Sequence, residues 1–281
     1  MQSQNKEGNR RNRPSPLAGF PALSRTSEEA RMALAMEFAK TRNETDPEAA
    51  AGFLSIAGGL AVYGGKDSPF NRVYGFGGSG DPIEDLARSE SFYWPKLCPF
   101  EVEMSPRGDE NIADLLESKK YYAKAPRLIW ALPLEDTSGS VDFSAKRTIV
   151  EISPEQGKLW AQVMDQAYGQ PIGWNAPQTF AAYTQMPSVK LYMALEEGRP
   201  IGGAALFLRG RTAILFSAAV LLEKRGEGYF SDLLRIRLEM ARDWGSDLAL
   251  VETLPSSPAI PILNSLGFTL LCELPQYSRT R

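Results

Sequence analysis

The sequence predicts an α/β fold made of two similar units. Three observations carry this. Apolar runs of strand length alternate with amphipathic segments of helix length. The order of elements repeats between the halves: helices, a strand pair, a glycine turn, a helix, a strand, a short helix and a last strand. Finally, each half has its glycine turn at the same place, Gly75-Phe-Gly-Gly-Ser-Gly80 in the first and Arg225-Gly-Glu-Gly228 in the second. Such self-similarity points to two copies of one α/β unit rather than one large sheet, over residues 23–137 and 146–281. Residues 1–22 read as a disordered tail, polar and carrying Lys6, Arg10, Arg11 and Arg13.

A chain of 281 residues, 43% hydrophobic, suits two domains of ordinary size. Its net charge of -3 gives no global case for nucleic acid or an anionic membrane. No apolar run reaches transmembrane length, and the N-terminus lacks the apolar core of a signal peptide. Cys98 and Cys272 lie far apart without metal or redox spacing, which fits packed thiols in a reducing cytoplasm. The count of His 0 removes every histidine triad and proton shuttle, along with the commonest metal ligand. Catalysis would rest on carboxylates, tyrosines, lysines, backbone groups or a cosubstrate, and no metal is expected.

Each element has a local reason. Thr26 and Glu29 form a capping-box pattern for a first helix over strong helix formers to Lys40. Asp46-Pro47 starts a second helix that Gly58-Gly59 ends. Residues 60–63 and 71–76 are strands. Asp81-Pro82 opens a helix to about Trp94. Residues 100–104 alternate like a half-buried strand, 109–117 are helical, and 127–132 are a strand. Glu135 to Ala145 reads as a linker. In the second half 147–152 is a strand, and Ser153-Pro154 with Gln156 caps a helix to Tyr168. Asn175 caps another helix that ends before Pro187. Strands follow at 191–195, 201–208 and 212–220. The helix after the glycine turn ends at Trp244-Gly245. Residues 248–253 are a strand, Ser257-Pro258 caps a short helix, and Gly267-Phe268 begins the last strand.

The stretch Ser217 to Leu234 carries the chemistry. A buried strand, a basic glycine turn and a helix start make an anion site, because the first N–H groups of a helix lack intrahelical partners and sit at the positive end of its dipole. Gly226 and Gly228 let the backbone approach a ligand without Cβ interference.

The second half resembles GNAT-superfamily N-acetyltransferases over roughly residues 146–275. The family's acetyl-CoA signature, Q/R-x-x-G-x-G/A, is matched at Arg225 and Gly228, with Phe230 in place of the last small residue. Ala259-x-x-x-Leu263-x-x-x-Gly267-Phe268 matches the closing helix–strand signature. The resemblance implies a mostly antiparallel mixed sheet flanked by helices, and acetyl transfer from acetyl-CoA to an amine in a ternary complex. Ala218, Ala219 and Val220 would bond the pantetheine arm; Arg225, Gly226, Glu227, Gly228, Tyr229, Phe230 and Ser231 would cradle the pyrophosphate. The first half resembles the same unit in degraded form, since Asp81 and Pro82 occupy its helix start. It reads as a structural domain shaping the acceptor cleft.

Glu252, near the end of its strand, is the candidate general base, and Glu223 would screen Lys224. Leu263 stands where many family members have a tyrosine acid, so Tyr229, beside the cradle, or Tyr277, beyond the last strand, is the candidate proton donor, and bulk water could also serve. Phe230, Leu233, Leu234, Leu238, Met240, Ala241 and Trp244 form the core arc of the helix after the turn, with Arg237 oddly among them. Of Trp160, Tyr168, Trp174, Phe180 and Tyr183, most are core, while one or two could line an aromatic acceptor pocket. The acceptor is a small-molecule or protein amine. Two other readings stand beside this one: an acyl-CoA-binding regulatory module without catalysis, and a Fem-type aminoacyl transferase, which the acidic balance disfavours.

Overall fold

The computed structural model describes residues 20–109, 111–134, 147–169 and 175–279. The tail to residue 19, the linker at 135–146 and Trp174 lie outside the described residues. The elements run α1 (Phe20–Thr45), β1 (Gly52–Ser55), β2 (Leu60–Tyr63), β3 (Arg72–Phe76), α2 (Pro82–Tyr93), β4 (Glu101–Met104), α3 (Asn111–Ser118) and β5 (Tyr122–Pro133). They continue with β6 (Arg147–Glu151), α4 (Gly157–Tyr168), α5 (Ala176–Tyr183), β7 (Val189–Glu196), β8 (Arg199–Arg209) and β9 (Thr212–Val220). The chain ends with α6 (Tyr229–Asp243), β10 (Leu248–Thr253), α7 (Ile260–Ser265) and β11 (Thr269–Ser278).

Two early expectations fail. The first helix begins at Phe20, ahead of the Thr26–Glu29 box, which lies inside a longer helix buried over much of Ser24 to Thr41. The second helix is only a single 3-10 turn at Pro47–Ala49, after which the chain enters β1. Phe53 and Leu54 gain more from pairing across a hairpin with β2 than from continuing a helix. Most other boundaries fall within a residue or two of the sequence reading; β5 begins five residues early.

All the strands join one mixed, mostly antiparallel sheet, in the order β1-β2-β3-β4-β11-β5-β10-β9-β8-β7-β6. This corrects the expectation of two units without one large sheet. Apart from the edge strand β6, which has no counterpart, the order is palindromic about the β11/β5 pair. Each half contributes a parallel pair, β3 with β4 and β9 with β10, and its last strand crosses to the other half. β5 lies against β10, and β11 lies against β4. The apolar register that closes each half therefore depends on the other.

One core spans both halves on one face, where α1, α4 and α5 pack Phe38, Trp160, Met164 and Phe180 on the strands. On the opposite face α2 and α3 cover the first half, and α6 and α7 the second. Leu233, Leu234, Leu238 and Ala241 of α6 are buried as their spacing predicts. Trp244 is not: it is 59% exposed, because Gly245 at φ 88 ends the helix there and turns the ring outward.

Candidate active site

The site begins where two parallel strands part. β9 and β10 are registered only from Leu248↔Thr212 to Leu250↔Ile214. Beyond that point β9 turns away. Its register with β8 jumps between Ala205↔Phe216 and Gly203↔Ala219, a bulge centred on Ser217. Ser217 takes φ +44, a left-handed backbone that a residue with a Cβ adopts only under strain. The edge of β9 from Leu215 to Val220 thus faces a cleft rather than β10.

A cavity of about 610 Å³ fills that cleft. Ala218, Ala219 and Val220 line one wall, and Arg225, Gly226, Gly228, Tyr229, Phe230 and Ser231 line the end. α6 starts at Tyr229 behind Gly228, which has φ +93 and no side chain to accept from the first N–H groups. The first N–H groups of α6 are therefore available to an anion, at the positive end of a helix of 15 residues. A Cβ at Gly228 would meet the movable end of the Arg147 side chain at 2.6 Å, so it is the φ of +93 that calls for glycine there. Glu227 is exposed and does not line the cavity; its carbonyl accepts from Arg147.

Arg225 does not extend freely to the turn. Its Nε donates to Val220 O at 3.1 Å and its Nη2 to Ala167 O at 2.9 Å, so it ties the end of β9 to the last turn of α4. Lys224 pairs with Glu196 at 2.5 Å and lies 3.8 Å from Glu227; Glu223, expected to screen it, is exposed.

A second cavity, of about 630 Å³, opens between the halves. Its walls mix aromatic rings, Phe70, Tyr74 and Tyr183 among them, with charged groups from α1, β3, β4 and β5. Arg31 makes two bonds of 2.7 Å to Glu103 and reaches Glu252 at 2.7 and 3.0 Å. Arg72 lies 3.0 Å from Glu103 and 3.3 Å from Glu252. Gln276 of β11 donates to Glu103 at 3.1 Å. The two cavities meet: Tyr168, Phe216, Ser217, Val251 and Glu252 line both.

The expected catalytic pair is not brought together. Glu252 stands at the junction, 28% exposed. Burial would raise its carboxyl, but Arg31, Arg72 and Arg127 together hold it well below the usual carboxylate range. A base for an amine works best with a pKa near the operating pH, so these arginines weaken Glu252 in that role. Tyr229 lines only the first cavity, and its hydroxyl donates to Glu196 at 2.8 Å, away from Glu252. Tyr277 is buried in the first-half core against Val102 and lines neither cavity. Leu263 is fully buried and lines the first cavity.

Sequence reasoning left Tyr168 and Tyr183 in a mixed group of aromatics and missed Arg31 and Arg72 altogether. Trp160 and Phe180 are core, packed edge to face at 5.8 Å. Tyr168 and Tyr183 reach the cavities and interact with the Ser217 hydroxyl. The signal for Arg31 and Arg72 was weak but present: a single arginine within an alanine-rich helix face, and another inside an apolar strand. Arg237 is fully buried, and among the described residues it has no carboxylate partner. It donates to Leu233 O at 2.8 Å, Ala205 O at 2.9 Å and Phe216 O at 3.2 Å. Burial without a counter-charge draws its pKa down to about 9.

Among the described residues no group of His, Cys, Asp or Glu is placed to hold a metal, and no helix is long and apolar enough to cross a membrane. Cys98 and Cys272 are free, half-buried thiols, and burial pushes Cys272 up to about 11.

Comparison with known proteins adds to this geometry. Residues 159–268 match the model of the acetyltransferase (GNAT) family. No match is found among curated proteins. Among solved structures, a GCN5-related N-acetyltransferase from Kribbella flavida superposes with a TM-score of 0.63 at 15% identity, covering 88% of this chain and 96% of that one. One from Sphaerobacter thermophilus gives 0.59 at 15% identity, covering 82% and 75%. A tandem GNAT protein from the clavulanic acid biosynthesis pathway gives 0.58 at 14% identity, with 78% of each chain covered. These identities establish likeness of fold, and the family match supports acyl transfer from an acyl-CoA to an acceptor. Residues 159–268 thus carry a GNAT acetyltransferase domain, within a chain whose overall fold resembles that of these solved structures.

Proposed function

We propose that this protein is an acetyl-CoA-dependent N-acetyltransferase that moves an acetyl group directly to an amine in a ternary complex. The observation that carries this reading is the meeting of two cavities at Ser217. One has the free edge of β9 and the uncapped start of α6, which suit a pantetheine arm and a pyrophosphate. The other, between the halves, suits an acceptor. Residues 218–220 and 225–231 are the coenzyme contacts in this reading, with two qualifications from the geometry. Glu227 would contribute only backbone, and Arg225 would act by bracing the turn as much as by its charge.

The catalytic unit spans residues 146–281. Residues 23–137 form a second GNAT-like unit that has lost coenzyme binding and supplies the acceptor wall. The matching order of elements and the palindromic sheet support this tandem description. The acceptor is an amine, carried by a small molecule or a protein, and the enzyme would work in the cytoplasm. Glu252 remains the carboxylate at the junction. As a base it would need an acceptor that displaces Arg31 or Arg72.

Calorimetric titration with acetyl-CoA, followed by thiol release across a panel of amines, tests the reading. Saturable binding at one site with amine-dependent thiol release is expected. Absence of binding would overturn it. Binding without turnover on any amine would favour a regulatory acyl-CoA-binding module, the reading to which the buried Leu263 lends weight.

A further inference from the structure

The reaction leaves one proton unassigned. When the nitrogen attacks the thioester carbon and the C–S bond breaks, the electron pair departs on sulfur, and that thiolate needs a proton. Leu263 has none to give. Tyr229 has its hydroxyl on Glu196, and Tyr277 is in the wrong core.

Tyr168 is different. It is the last residue of α4, placed where the two cavities join, and it lines both. Its ring packs on Phe180 at 5.5 Å, which fixes its direction. The Ser217 hydroxyl, on the strained bulge of β9, interacts with it and with Tyr183. The guanidinium of Arg237 lies close enough to act on it electrostatically. We propose that Tyr168 is the proton donor to the departing thiolate, with Ser217 and Arg237 as its positioning residues. This rests on the reading of the first cavity as the coenzyme site.

The atoms balance. The Tyr168 hydroxyl gives its proton to sulfur. The phenolate that remains is stabilised by the positive charge of Arg237, which is itself 1% exposed. The attacking nitrogen must lose one proton to become an amide, and that proton returns to Tyr168 through the Ser217 hydroxyl, which faces both cavities. The exchange consumes no outside acid or base. Burial raises the phenol of Tyr168, which keeps it protonated at neutral pH, while Ser217 and Arg237 oppose that rise. Arg237 also gains a purpose: a buried cation with only carbonyl partners costs stability unless an anion forms beside it.

Tyr168→Phe keeps the ring and removes only the hydroxyl. With hydroxylamine as probe acceptor, thiol release from acetyl-CoA is expected to fall roughly 100-fold, the range of general acid catalysis, while KM for acetyl-CoA stays within about twofold. With an acetyl thioester of an aryl thiol, whose thiolate leaves without help, the same variant is expected to lose less than about threefold. A readout apart from turnover is affinity for free coenzyme A as pH rises toward the alkaline range and the thiolate fraction grows. There the variant is expected to bind free coenzyme A roughly tenfold more weakly than wild type, with binding of desulfo-coenzyme A unchanged. Equal losses for both thioesters, or for both coenzyme forms, would show that Tyr168 merely shapes the site and would overturn the proposal. Unchanged thiol release would do the same. A wild-type protein that neither binds coenzyme A nor releases thiol would instead overturn the coenzyme reading, and the proposal with it.

Discussion

The two halves repeat one order of elements and reach opposite ends with it. In the second half the parallel pair opens after Ile214↔Leu250, and the helix behind it starts without a cap. In the first half the corresponding pair stays closed through Phe76↔Met104, and Ser105 N donates to Phe76 O at 2.9 Å beyond it. The helix start there is occupied by the chain itself: Asp81 accepts from Ile83 N at 2.8 Å, and Pro82 has no N–H to offer. The buried arginines divide in the same way. Arg31 and Arg72 are paired with Glu103 and Glu252, whereas Arg237 has backbone carbonyls. A glycine turn ahead of a helix is therefore not by itself an anion site. The strands must part and the N–H groups must be left free.

The largest expected effect comes from removing the charge that closes the first half. Glu103 is 1% exposed and accepts from Arg31, Arg72 and Gln276, tying α1, β3 and β11 to β4. Glu103→Gln leaves the buried Arg31 with Glu252 as its close carboxylate, and the buried Arg72 with Glu252 at 3.3 Å and Glu101 at 3.6 Å. A loss of about 3–5 kcal/mol is expected, read as a lower denaturant midpoint. Equal stability of variant and wild type would mean the network is not what holds the halves together. Glu252 adds a pH signature to the same network. Its folded pKa is depressed, so its contribution is fully present above the ordinary glutamate value of ~4.3 and is lost as pH falls from there through the lower folded value. The difference in stability between wild type and Glu252→Gln should shrink over that acid window and stay level above about pH 5.

The next effect bears on the turns. Arg225→Glu removes the tie from β9 to Ala167 and puts a negative charge beside the start of α6. Coenzyme affinity is expected to fall about 10–100-fold, or about 1.4–2.7 kcal/mol, by calorimetry. The matched change is Asp81→Ala, which frees the first turn of its cap at a cost of about 1 kcal/mol in stability. It should create no second coenzyme site, because β3 and β4 remain closed. A second binding event in that variant would show that the cap, and not the strand pairing, is what silences the first turn.

Much of this contrast was legible in the sequence. Asp81-Pro82 against Arg225 and Gly228 already separated the turns, and strands of apolar period such as 60–63, 212–220 and 248–253 lay where the residues placed them. What was hidden depended on long-range pairing. Nothing in residues 122–133 says that they pair with β10 rather than within their own half, since an apolar strand fits either neighbour. The ion network joins residues as far apart as Arg31 and Glu252, so local pattern could not reveal that the candidate base is held by arginines. The role of Tyr168 was hidden for the same reason: a tyrosine at a helix end reads as packing until the opposite strand is seen to bulge toward it.

The bulges give the finest test. Both halves interrupt the strand before the turn, at Gly75 with φ +71 and at Ser217 with φ +44. In the first half a side chain at position 75 would meet Gly58 O at 2.8 Å and Glu28 Oε1 at 3.0 Å, besides the strained backbone. Gly75→Ser is therefore expected to cost about 1–2 kcal/mol. Ser217 already carries that backbone strain and faces open cavity, so Ser217→Gly is expected to be neutral, or more stable by up to about 1 kcal/mol. If Ser217 is strained for its hydroxyl, the more stable variant should be the slower one, with thiol release reduced while the denaturant midpoint holds or rises. Should Ser217→Gly keep the full rate, the bulge would matter for parting β9 from β10 and its hydroxyl would be incidental. Should it lose stability, the strain assigned to φ +44 would be wrong, and the two bulges would differ in packing rather than in use.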